Sequence, residues 1–261
     1  MPTETQTQYS RIALEVRAPT ARLVLNNPPL NVIDLAMMDE LSLALAELNR
    51  RDDVCTLVLS GAGNTFSVGV DIAAHTPDQV ASMLSKFHGV IRALLGTKKV
   101  TIAAVRGHCL GGGAELAMVC DLIYTSDTSS WGFPEIKLGC FPPVAATILA
   151  ALVGQKHAAD LIFTSRNISG QEAASIGLAN RALPDLAIEP AVNESIRQLS
   201  KLSPVTLAIT KKAMYAWESM HFDKGLARAE KIYLDELMKT ADVHEGVKAF
   251  LEKREPVWKG K

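Results

Sequence analysis

The sequence predicts an α/β fold whose C-terminal part is helical, and three observations carry the prediction. Short apolar runs at 54–60 and 101–105 have the length and composition of buried strands. Segments with apolar residues at helical spacing stand between and after them, the alternation that layers helices on a sheet. Beyond Val144 the strand signals almost cease. With 261 residues, 48% hydrophobic and 21% charged, the chain is long enough to close a substantial core.

In order along the chain, residues 9–16 and 21–25 read as two short strands turned at 17–20. Asn26-Asn27-Pro28-Pro29 stops the second, because proline cannot donate to a ladder and constrains the residue before it. Leu41, Leu43, Leu45 and Leu48 place an amphipathic helix over 35–49. The strand 54–60 runs into a glycine loop at 61–64, a helix follows over 77–95, and 101–105 is a buried strand. Residues 111–120 form a helix and 122–125 a strand. Helices are then predicted over 145–152, 157–163, 170–176, 190–202, 204–217, 222–240 and 244–253, with one strand at 180–183 among them. The composition shifts near 183–189, dividing the chain into a core, 1–188, and a helical region, 189–261.

A net charge of −1 gives no polyelectrolyte attraction, which argues against nucleic acid as a partner. The tight basic pairs Lys98-Lys99 and Lys211-Lys212 read as solvated surface. Cys55, Cys109, Cys120 and Cys140 lack CxxC spacing and read as buried free thiols in a reducing, cytoplasmic setting. No apolar run is long enough for a bilayer, so no membrane partner is expected. The polar first ten residues read as a frayed end without the plan of a secretory signal.

The segment 102–122, IAAVRGHCLGGGAELAMVCDL, carries the chemistry. A strand runs into Gly111-Gly112-Gly113, which opens a helix with Glu115 in its first turn. Free N–H groups and the helix dipole favour negative charge there. Taken singly, the triplet is also a tight strand-to-helix turn, Glu115 a dipole partner, and Glu135, behind Pro134, an ordinary loop acid. Together they suggest a backbone anion hole beside two acids, enough to stabilise an enolate and move protons around it. Gly107 and the triplet do not spell a dinucleotide fingerprint.

Four motifs in order resemble the enoyl-CoA hydratase/isomerase (crotonase) superfamily over essentially the whole chain. They are Asn27-Pro28-Pro29-Leu30-Asn31; FSVGVDI at 66–72; Gly107 with Gly111-Gly112-Gly113, Glu115-Leu116-Ala117 and Cys120-Asp121; and Phe250-Leu251-Glu252-Lys253-Arg254. The resemblance implies a crotonase-like spiral of ββα units and a helical C-terminal region that builds a homotrimer or a dimer of trimers. It implies an acyl-CoA thioester as substrate, with CoA as its carrier portion and no separate cofactor or metal. The thioester carbonyl would sit between the N–H groups of Val70 and Gly112. Substrate contacts would come from Pro29, Leu30, Val68, Asp71, Ile72, Gly111, Trp131 and Pro143. Water would lie between the acids, Glu115 taking its proton as oxygen attacks the β-carbon and Glu135 protonating the α-side. Keeping both acids favours hydration over isomerisation.

After Gly139 the family's usual glycine-rich run is replaced by Phe141-Pro142-Pro143-Val144-Ala145-Ala146-Thr147. Pro143 offers no N–H, Val144 and Ala145 add side chains, and Trp131 is larger than the residue usual there. This loop, with FSVGVDIAAH at 66–75, resembles hydratases of cyclic dienoyl-CoA thioesters. In those, water adds 1,4 across cyclohexa-1,5-diene-1-carbonyl-CoA, and a more distant reacting carbon requires the water placed differently. Drift in a loop accounts for the same departures. The alternatives are a straight-chain 2-enoyl-CoA hydratase or an enoyl-CoA isomerase. His75 reads as a solvated loop histidine or a helper base.

Overall fold

The structure is a computed structural model that describes residues 9–261, with side chains described throughout except at 217–220. The first half holds β1 (Ile12–Arg17), β2 (Thr20–Leu25), α1 (Leu35–Asn49), β3 (Thr56–Gly61), α2 (Val80–Gly96), β4 (Val100–Val105), β5 (His108–Leu110), α3 (Gly112–Met118), β6 (Leu122–Ser126) and β7 (Ser130–Gly132). The second half holds α4 (Pro143–Val153), α5 (Gln155–Thr164), β8 (Ile168–Ser169), α6 (Gly170–Ser175), β9 (Arg181–Leu183), α7 (Asp185–Leu199), α8 (Pro204–Asp235) and α9 (Ala241–Leu251).

One sheet has the order β1-β2-β3-β4-β6-β9 and is parallel except between β1 and β2; the other has the order β5-β7-β8. The chain alternates between them. β4 hands over to β5 and then α3, and β6 to β7 and then a 3₁₀ turn at Pro134–Leu138, so each unit is two strands and a helix. This is the expected spiral of ββα units. Strand alternation splits the core: Leu57 and Leu59 face the main interior, while Val58, Ile102 and Tyr124 face Ile188 and Val192 of α7.

Helix 35–49 lies where the spacing put it, but Leu43 is exposed and Met37, Met38 and Ala44 are buried in its place. The strands β5, β7 and β8 were not anticipated, being two or three residues long and without alternation. The helix expected from Pro190 begins at Asp185, and Pro190 sits inside it. The position 188/189 therefore falls within α7. The helices expected at 204–217 and 222–240 are one, since no proline interrupts α8. Lys99 and Lys211 are buried, not solvated: Lys211 Nζ donates to Asp121 Oδ2 (2.7 Å) and to the Lys99 carbonyl (2.9 Å). The four cysteines are free and buried. Residues 1–8 of the expected frayed end lie outside the described residues.

Candidate active site

Two glycine turns place a pair of backbone donors side by side. Gly69 (φ +105°) precedes Val70, and Gly111 (φ +51°, ψ −129°) precedes Gly112; a side chain is disfavoured at both. A Cβ on Gly69 would stand 3.2 Å from the Gly112 nitrogen, and one on Gly112 3.4 Å from the Val70 nitrogen. Among the described residues neither the Val70 nor the Gly112 N–H has an acceptor. Gly112 is the first residue of α3, where helix N–H groups have no partner within the helix. The turn before Val70 is locked from behind. Ser67 Oγ accepts from the Gly69 N–H (3.0 Å), Ile33 N–H donates to the Gly69 carbonyl (2.9 Å), and Asp71 N–H donates to the Ile33 carbonyl (3.1 Å).

Both acids open on the cavity beside these donors. Glu115, in the first turn of α3, is buried, and its Oε1 accepts from the Ala145 N–H (2.9 Å) at the start of α4. Burial pushes its carboxyl up to about 7, opposed by the Ala145 and Val144 N–H groups. Glu135 stands on the 3₁₀ turn, and its Oε2 is sealed from solvent without a hydrogen-bond partner among the described residues. Burial and then the neighbouring Glu115 charge push it up to about 8. The two environments differ in kind: Glu115 has donors that favour its anion, and Glu135 has few.

Val68, Ile72, Gly111 and Pro143 line the same cavity as Val70, Gly112, Glu115 and Glu135. Four expected contacts do not. Trp131 is wholly buried on β7, its Nε1 donating to Thr125 Oγ1 (2.9 Å) and Ser129 Oγ (3.1 Å), so it fills the core. Asp71 caps the short turn Ile72–His75 by accepting from the Ala73 N–H (3.0 Å). Pro29 and Leu30 lie on an exposed loop outside the cavity, tied to it where the Val68 N–H donates to the Leu30 carbonyl (3.1 Å). His75 is half-buried in the cavity wall, Nδ1 3.1 Å from the Asp71 carbonyl, and burial lowers its pKa.

The departure at Pro143 has a local reason. Pro143 is the first residue of α4, where a missing N–H costs nothing, and Val144 and Ala145 bury their side chains while their N–H groups serve Glu115. Sequence reasoning missed those donors, because nothing in the chain told which helix start faces Glu115. It also missed His88 and Tyr233, which line the cavity from α2 and α8. His88 sits within an apolar helical stripe, the one signal available.

A family model described as enoyl-CoA hydratase/isomerase matches residues 15–261. The chain is 35% identical over 254 residues to a cyclohexa-1,5-dienecarbonyl-CoA hydratase of Thauera aromatica, covering 96% of this chain and 97% of that protein. It is 34% identical to a probable enoyl-CoA hydratase of Rhizobium meliloti, covering 96% and 98%. A solved enoyl-CoA hydratase/isomerase from Xanthobacter autotrophicus Py2 superposes with a TM-score of 0.85 at 28% identity, over 95% of this chain and 98% of that one.

Proposed function

This chain belongs to the enoyl-CoA hydratase/isomerase family, as an enzyme of the hydro-lyase type on a CoA thioester, and we propose that this thioester is a cyclic dienoyl-CoA of the cyclohexa-1,5-dienecarbonyl kind. The observation that carries the reading is the lining of the cavity that holds the acids. Phe87, Phe141, Pro142 and Pro143 give it apolar side chains of little conformational freedom, which suit a ring better than a flexible chain. The Thauera relative supports the same substrate class.

In this reading the thioester oxygen receives hydrogen bonds from Val70 and Gly112, which need no reorganisation as enolate charge develops. Glu115, with two N–H donors favouring its anion, takes the proton of the attacking water. Glu135, held protonated near neutral pH, is the acid. Pro29 and Leu30 would meet the CoA portion outside the cavity. No cofactor is needed, because the donor pair and the acids supply charge stabilisation and proton transfer between them. A homotrimer or dimer of trimers is the expected assembly.

The test is mass spectrometry of the purified protein with cyclohexa-1,5-diene-1-carbonyl-CoA and, separately, crotonyl-CoA. Efficient gain of one water by the cyclic thioester, with little by crotonyl-CoA, is the expected result. Rapid hydration of crotonyl-CoA alone would establish the straight-chain alternative, which the Rhizobium relative at nearly equal identity favours.

A further inference from the structure

The buried face of α2 carries a single polar side chain, His88, with Met83, Leu84, Phe87 and Ile91 as its buried companions. A buried imidazole ordinarily satisfies both ring nitrogens. Here Nδ1 lies 2.5 Å from Glu230 Oε1 on α8, while Nε2 is sealed and has no partner among the described residues. Glu230 is itself approached by Arg92 at 3.9 Å. His88 lines the cavity that holds Glu115 and Glu135 and comes to it from α2, whereas the acids stand on α3 and the 3₁₀ turn. Among the described residues two more sealed atoms of that lining lack partners, Glu135 Oε2 and the Tyr233 hydroxyl. In the tautomer that donates its Nδ1 hydrogen to the Glu230 carboxyl, Nε2 keeps a free lone pair. Burial lowers the His88 pKa, with Glu230 opposing and Arg92 reinforcing.

We propose that His88 is a third catalytic residue, which moves the proton at the end of the conjugated system remote from the thioester, and that Glu230 is its positioning residue. The proposal rests on the cyclic dienoyl reading. A 1,4-addition puts oxygen on the carbon next to the thioester-bearing one and hydrogen on the far end of the second double bond. In the dehydrating direction the remote C–H bond breaks and its proton goes to Nε2. The electron pair moves through the conjugated carbons to the thioester oxygen, held by Val70 and Gly112. It returns as the C–O bond breaks, and hydroxide leaves as water with a proton from the acid pair. Hydration is the reverse, with the imidazolium giving its proton to the remote carbon. Glu115 thus serves the oxygen with Glu135 holding the water beside it, and in the 1,4-addition His88 takes over from Glu135 the proton transfer at carbon.

The decisive variant is His88→Asn, whose amide can keep the bond to Glu230 while deleting Nε2. Turnover of the cyclic diene should fall about 100-fold or more, while cyclohexanecarbonyl-CoA, a saturated analogue, binds within about threefold of wild type. Glu230→Gln should cost about tenfold, the scale of a lost orienting partner. In D2O the wild type should exchange the remote hydrogen of the hydroxy thioester and His88→Asn should not. Should the variant fail to fold, ¹⁵N-histidine spectra of the wild type decide: an unprotonated Nε2 that shifts with cyclohexanecarbonyl-CoA supports the role, and a protonated or unmoved Nε2 overturns it. Wild-type turnover of the diene matched by His88→Asn overturns the role alone. A wild type inert toward the diene overturns the substrate reading, and this role with it.

Discussion

At the scale of residues, the acid pair is defined by what it lacks. Glu115 has two backbone donors, Glu135 Oε2 has no partner among the described residues, and both carboxyls are buried. Glu115→Gln and Glu135→Gln are each expected to lower kcat by ~10²–10⁴-fold while CoA-ester binding survives. A near-normal rate in either would remove that residue from the mechanism. The same burial makes a stability signature with the opposite sign to an ordinary salt-bridged acid. Both carboxyls hold protons more tightly folded than unfolded, so the native state binds more protons above the unfolded carboxyl pKa of about 4.3. Their contribution is fully present below that pH and declines until both are ionised, past about 7 for Glu115 and about 8 for Glu135. Melting temperatures should therefore fall between pH 5 and 8, on the scale set by that linkage, and the double Gln variant should show a flatter slope. An unchanged slope would mean that the pair is not proton-bound in the fold.

At the scale of elements, the strand-to-helix turns do the positioning. A Cβ on Gly111 would stand 2.7 Å from Glu135 Oε1, and one on Gly112 2.7 Å from Val70 Cγ2. Gly112→Ala should cut kcat about 10²–10³-fold, the scale of a lost oxyanion donor, as steady-state kinetics would show. The glycine triplet and its acid were legible because a helix start needs only local sequence. The donors from Val144 and Ala145, the His88–Glu230 pair and the burial of Trp131 were not, since each depends on which elements meet. Asp121 is another case: it reads as part of a family motif, yet it accepts from Thr101 N–H and Oγ1 and from Lys211, tying α8 to the sheet. Lys211→Met should destabilise by roughly 3–5 kcal/mol in urea unfolding by leaving that carboxylate without its cation. Adding Asp121→Asn should recover part of the loss, and strict additivity of the two would show that the pair does not act as a unit.

At the scale of the whole molecule, α8 has two duties. Toward its own chain it supplies Tyr233 and Glu230 to the cavity wall and to His88. Toward solvent it leaves Val205 and Ile209, about one helical turn apart, about two-thirds exposed, with Leu202 just ahead of them. Apolar side chains grouped on a surface mark interaction sites more often than singly scattered ones do. The alternation of strands and helices made the layered core legible in the sequence, but an outward apolar face and an inward one look alike until the packing is known. With the expected trimer, light scattering should give three or six times the chain mass of 28.1 kDa. Val205→Asp with Ile209→Asp should shift it to one, because a desolvated charge at an apolar contact costs several kcal/mol. If assembly holds α8 against α2, the monomeric variant should also lose turnover, with His88 exchange into solvent faster than in wild type. A wild type that runs at monomer mass would leave the α8 stripe without its proposed partner. A double variant that stays assembled would move the interface to another face.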